Sequence, residues 1–224
     1  NAARNADDIG RGAAGMIDAL AGITAEPGTV TRHFLTPEHK RVADLVGTWM
    51  RRAGMAVRMD AIGTMHGLLP SNLDASRERR RLLVGSHIDT VTDGGKFDGN
   101  LGVVAGILAV EEIRARGIQL PFAVEVLDFG DEEGVRYPKT LMSSSTIAGS
   151  LDPSVLDLTD AQGLPMRAAL AEFGGDPDHL AAEAYRRPEV VGYLEVHIEQ
   201  GPVLDQAGEA LGVVTAIASQ GRYR

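Results

Sequence analysis

The chain has 224 residues, 44% of them hydrophobic and 24% charged, which is enough for one sizeable core in a soluble globular protein. The formal net charge of −9 argues against non-specific binding to nucleic acid or an anionic membrane. The absence of cysteine removes disulfides, thiolate metal sites and cysteine nucleophiles together.

From the N-terminus, Ile9, Ala13, Met16, Ile17 and Leu20 fall at helical spacing within 7–23. Thr36-Pro37-Glu38 reads as a helix start, with Thr as N-cap and Pro at the first helical position. That helix is expected to run to about Ala53 and stop at Gly54. Residues 55–60 and 64–69 read as short strands. Residues 71–81 read as a polar loop, with 77–81 a solvated basic run. Residues 81–86 read as a buried strand and 101–116 as a helix closed by Gly117. A further strand is expected over 122–129, helices over 140–149 and 166–173, and a turn-rich connection over 152–165. Strands are expected over 190–198 and 211–217. Strands alternating with helices indicate an α/β fold, a mostly parallel twisted sheet flanked by helices.

No apolar run approaches the ~20 residues needed to cross a bilayer, and no signal-peptide pattern opens the chain, so a cytoplasmic location is expected. The chain starts at Asn1 without Met and stops soon after a strand-like segment. It is therefore expected to be the N-terminal part of a longer catalytic domain, spanning 1–217, with 218–224 opening a hinge.

The chemistry concentrates in three places. Residues 85–99 carry His87, Asp89, Asp93 and Asp98 among four glycines, directly after a buried strand. Asp131-Glu132-Glu133 follows the strand at 122–129, and His197 lies at the end of the strand at 190–198. In open α/β sheets, sites form beyond the carboxyl ends of strands. Taken singly, a His after a strand is more often a hydrogen-bonded loop residue, and an acidic pair more often a solvated one. Three strand ends delivering His, acid pair and His to one edge point instead to a His/carboxylate metal site. Asp89 is spaced to hydrogen-bond the His87 ring. Asp93 sits in Asp-Gly-Gly, which is ordinary turn chemistry. Asp128-Phe129-Gly130 matches a kinase tripeptide, but no kinase catalytic loop accompanies it, and there is no Gly-x-Ser-x-Gly elbow.

Four motifs, in this order, resemble the M20-type dinuclear metallohydrolases: Gly85-Ser86-His87-Ile88-Asp89-Thr90, Gly95-Lys96-Phe97-Asp98-Gly99, Asp131-Glu132-Glu133-Gly134 and His197-Ile198-Glu199-Gln200-Gly201-Pro202. They are most similar to the amidase, hydantoinase and carbamoylase branch. The resemblance implies a zinc-dependent exopeptidase-like catalytic domain and two divalent metal ions, zinc or manganese. It implies that His87 and His197 bind one ion, Glu133 the other, and Asp98 both. Glu132 would be the general base on a metal-bridging hydroxide, Asp89 would orient His87, and Gln200 would contact the substrate. The implied substrate is a small ureido compound. Allantoate is favoured by the run 129–137 followed by Thr140 and by 147–153; N-carbamoyl-L-amino acids or β-ureidopropionate are the alternative. The family also implies a homodimer, a further metal-ligand His and a lid domain, and neither of the last two fits before Arg224. Thr64, Ser143, Ser219 and Gly221 depart from the usual pattern. From another class, the chain as it stands could be a non-catalytic metal-binding remnant, and alone it is expected to be inactive.

Overall fold

A computed structural model describes residues 4–71, 73 and 80–217. Helix α1 spans Ala6–Ala21 and α2 spans Pro37–Arg52. Thr36 caps α2 by accepting from the His39 N–H, and Gly54 at φ +86° lets the chain turn away after its end. Strands β1 (Ala56–Met59), β2 (Met65–Leu69), β3 (Arg81–His87), β4 (Ala123–Phe129) and β5 (Val190–Leu194) form one sheet in the order β1-β2-β4-β3-β5. Strands β4, β3 and β5 run parallel, and β1 and β2 add an antiparallel edge. Helix α3 (Asn100–Ala115) is the crossover between β3 and β4. It lies so close to the sheet that a Cβ on Gly106 would stand 3.1 Å from Val126 and 3.2 Å from Val84. Helices α4 (Met142–Ile147), α5 (Met166–Phe173) and α6 (Val203–Ala207) complete the set. The main core joins α1, α2 and α3 to one sheet face through Ile17, Leu20, Val46, Met50, Val104, Ile107 and Val126. A smaller cluster of Leu83, Leu127 and Ile147 seats α4 on the other face.

Three sequence expectations change. The strand expected over 190–198 ends at Leu194, so His197 stands on irregular chain beyond it. The strand expected over 211–217 does not form: these residues carry β-branched side chains, yet they are exposed and pair with no strand among the described residues. β propensity expresses fit to a pleated neighbour, and none stands beside this segment among the described residues. Of the basic run at 77–81, residues 77–79 lie outside the described residues, as do 218–224. Arg81 is not a solvated member, because its Nη1 donates to Glu125 at 2.8 Å.

Glu125 sits buried in β4 and also accepts from Tyr185 Oη at 2.8 Å and from His66 Nδ1 at 2.9 Å. His66 bonds Asp60 through Nε2 at 3.0 Å. Burial works against the Glu125 charge, but His66, Arg81 and Tyr185 outweigh it and hold the pKa down at about 2. The same two carboxylates raise the His66 pKa against its burial. The signs differ. Glu125, depressed from 4.5, contributes stability that is present above pH 4.5 and lost as pH falls towards 2. His66 contributes stability present below pH 6.5 and lost as pH rises through its elevated pKa. Urea unfolding between pH 5 and pH 2 is therefore expected to show a loss on the order of 3 kcal/mol from Glu125. Glu125→Gln should be less stable at pH 6 and show a shallower acid limb; an unchanged acid limb would contradict the assignment.

Candidate metal centre

The site is built where β3 and β4 end and where the chain leaves β5. His87 is the last residue of β3 and is 2% exposed. Its Nδ1 lies 2.9 Å from the Asp89 backbone carbonyl and 3.6 Å from the Asp89 carboxylate. The ring is thus held first by the main chain of Asp89. The buried Asp89 carboxylate does something the sequence did not indicate: it accepts the backbone N–H groups of Glu132 and Glu133, each at 3.1 Å. One side chain therefore fixes the acid pair beyond β4 relative to the His beyond β3. Asp131, in a left-handed conformation at φ 62°, turns the chain into that pair.

Asp98 reaches the same place because Gly99 follows it. Gly99 has φ +65°, and a Cβ there would stand 2.4 Å from the His87 carbonyl and 2.6 Å from its ring. Only glycine allows this approach. An Asp98 carboxylate oxygen lies 3.9 Å from His87 Nε2 and 3.3 Å from His197 Nε2. The two imidazoles are stacked, with their Nε2 atoms 3.4 Å apart. Glu132 comes within 4.0 Å of His87 Nε2. Gln200, left-handed at φ 55°, places Nε2 3.4 Å from both Asp98 oxygens. Every site residue expected from the sequence is thus at this edge. Two groups offer donor atoms within 4.8 Å of one another: His87, Asp98 and His197, and His87, Glu132 and Glu133. Asp93 is an exposed turn residue at φ 53°. Asp128 is a fully buried strand-end group that accepts the Met65 N–H at 2.6 Å, and burial pushes its pKa well up.

The donor set fits a divalent cation. A carbonyl can only accept, so the Nδ1 contacts of His87 with Asp89 and of His197 with Ile198, the latter at 3.0 Å, place the ring protons on Nδ1. Both Nε2 lone pairs then face each other and the Asp98 carboxylate. Such an array repels itself unless positive charge sits within it. The surroundings of His87 also call for positive charge: burial lowers its pKa, but Asp89 and Glu132 outweigh burial and bring it to about 9, so Nε2 takes up either a proton or a cation. Burial raises the Glu133 pKa, His87 opposes this, and the charges of Glu132, Asp98 and Asp89 add to the rise. Imidazole and carboxylate donors without thiolates suit a divalent metal ion.

Fold and site together define an α/β chain with a cluster of His and carboxylate side chains, able to hold a metal ion, beyond the carboxyl ends of parallel strands. Residues 83–219 match the model of peptidase family M20/M25/M40, and the chain belongs to that family. It is 43% identical over 192 residues to an N-carbamoyl-L-amino acid amidohydrolase of Geobacillus stearothermophilus, covering 85% of this chain and 46% of that protein. It is 40% identical over 209 residues to allantoate deiminase 1 of Glycine max, covering 92% of this chain and 43% of that protein. The chain thus spans about half the length of the curated relatives it matches. Among solved structures, a hydantoinase/carbamoylase family amidase from Burkholderia ambifaria superimposes with a TM-score of 0.80 at 34% identity, over 92% of this chain and 50% of that one. The structure of AtUAH in complex with (S)-hydroxyglycine gives a TM-score of 0.82 at 28% identity, over 88% of this chain and 48% of that one. Among the described residues, no helix is long and apolar enough to cross a membrane.

Proposed function

We propose that the protein to which this chain belongs is a dinuclear metal-dependent amidohydrolase that cleaves the ureido C–N bond of allantoate. The observation that carries this reading is a pair of donor groups that share His87, one with Asp98 and His197 and one with Glu132 and Glu133, gathered beyond the ends of β3, β4 and β5. In this reading His87 and His197 would hold one ion, Glu133 would hold the second, and Asp98 would be shared by both. Bound ions supply Lewis acidity, polarising the scissile carbonyl and making water easier to deprotonate. Glu132 takes the proton of the attacking water. Water oxygen bonds to the carbonyl carbon, the C–N bond breaks, and Glu132 returns the proton to the leaving nitrogen. Asp89 keeps His87 and the acid pair in register, and Gln200 faces the carbamoyl end of the substrate. A homodimer and a cytoplasmic location belong to the same proposal, with neither nucleic acid nor membrane as a partner.

A second substrate, an N-carbamoyl-L-amino acid, is favoured by the 43% identity to the Geobacillus amidohydrolase. The test is a panel on the full-length protein loaded with zinc or manganese, comparing allantoate with N-carbamoyl amino acids and following ammonia. Preference for allantoate by kcat/KM supports the first reading; preference for a carbamoyl amino acid replaces it. Inactivity on both would sink the reading. Asp98→Ala is expected to lose at least one metal by elemental analysis, and two ions retained per chain would contradict a bridging role.

A further inference from the structure

The backbone ladder between β3 and β5 stops at the Val84–Leu194 pair. Both imidazoles lie beyond that point: His87 three residues after Val84, and His197 three residues after Leu194. Something other than the ladder must hold them 3.4 Å apart. Ser86, buried next to His87, donates through Oγ to Glu195 Oε1 at 2.6 Å. This is the short distance of a hydroxyl bonded to a carboxylate. The second oxygen, Glu195 Oε2, accepts from Tyr193 Oη at 2.9 Å, and the same hydroxyl lies 3.1 Å from the Gly85 carbonyl. On the other side of Ser86 the chain passes under α3. A Cβ on Gly102 would stand 2.4 Å from the Val196 carbonyl and 2.5 Å from Ser86 Cβ. Residues 195–197 are therefore gripped between a hydroxyl–carboxylate bond and a helix turn that only glycine permits.

We propose that Glu195 is a positioning residue: through Ser86 and Tyr193 it fastens the segment carrying His197 to the strand carrying His87. Glu195 is exposed, and so is half of Tyr193, so the bond sits on the rim of the sheet and contributes little core packing. Its effect falls on the spacing of the two imidazoles. The proposal rests on the reading of His87 and His197 as ligands of one ion, and its test separates the two.

The experiment compares Ser86→Ala, Glu195→Ala, Glu195→Gln and His197→Ala in the full-length protein. The readouts are zinc affinity by chelator competition, the visible spectrum of the cobalt-loaded protein, and the melting temperature of the metal-free protein. Ser86→Ala and Glu195→Ala are each expected to weaken zinc binding roughly 10- to 100-fold and to shift the cobalt spectrum. A Ser86→Ala/Glu195→Ala double variant should bind zinc little worse than Glu195→Ala alone, because that single change already removes the Ser86–Glu195 bond. Glu195→Gln should recover most of the affinity, since its amide oxygen still accepts from Ser86. Metal-free melting should move by less than about 3 °C. Wild-type zinc affinity in Ser86→Ala and Glu195→Ala, with affinity lost in His197→Ala, overturns the proposal and leaves the ligand reading intact. A large fall in metal-free melting with an unchanged cobalt spectrum marks a purely structural bond and also overturns it. Wild-type affinity in His197→Ala overturns the ligand reading, and the proposal with it.

Discussion

Glu132→Gln is expected to keep its metal and lose turnover roughly 10²- to 10⁴-fold, the span usual for removal of a general base. The substitution preserves shape and takes away only the ability to accept a proton. It leaves intact the backbone N–H bonds from Glu132 and Glu133 to Asp89, so the acid pair keeps its place. The neighbours divide by exposure: the Glu132 side chain is 47% exposed, open to water and substrate, whereas Glu133 is half-buried among other acids and suits a cation. Ammonia release under saturating substrate gives the turnover, and elemental analysis gives the metal. Near wild-type turnover would remove Glu132 from the base role. Loss of metal in this variant would make Glu132 a ligand, as the grouping of His87, Glu132 and Glu133 would allow.

The parts of the site legible in the sequence were those with short-range signals. His87 and Asp98 lie in one Gly-rich run after an apolar strand, and Glu132 and Glu133 follow the next parallel strand, so motif and topology agree. The supports were not legible. The Asp89 carboxylate meets amides more than forty positions along the chain, and Ser86 meets Glu195 more than a hundred positions away. No periodicity marks such pairs, because only the packed sheet brings them together. The contact expected between Asp89 and the His87 ring falls at Nδ1, where the Asp89 backbone carbonyl accepts at 2.9 Å and the carboxylate stands at 3.6 Å. It also extended the last strands too far. Alternation in 190–198 and β-branching in 211–217 express propensity, while a strand needs a neighbour with free hydrogen-bonding groups. Beyond Leu194 the ladder gives way to side-chain bonds, and over 211–217 no strand pairs among the described residues.

The second large effect is expected at Arg32, a residue no motif announces. Its guanidinium is fully buried. Nε donates to the Ile88 carbonyl at 2.6 Å, Nη1 to those of Leu20 and Ile23 at 3.0 and 3.1 Å, and Nη2 to Asn100 Oδ1 at 3.0 Å. These four acceptors are neutral, and they come from the end of α1, the residue between His87 and Asp89, and the first residue of α3. Burial lowers the Arg32 pKa to about 10 against the pull of Asp89, so the side chain stays charged at neutral pH. Arg32→Met removes a desolvated charge, which favours the variant. It also strips donors from buried acceptors, each worth roughly 1–3 kcal/mol. Leu20 keeps a second donor in the Ile23 N–H, so the cost falls mainly on the other three acceptors. We expect the loss to win by roughly 3 kcal/mol, a fall in Tm of about 10 °C for a chain of this size. Zinc affinity should fall as well, because Ile88 and Asn100 bracket the ligand loop. Arg32→Lys should recover part of both effects, since an ammonium can reach some of the same carbonyls. A Tm for Arg32→Met within about 2 °C of wild type would show that removing the buried charge offsets the lost bonds.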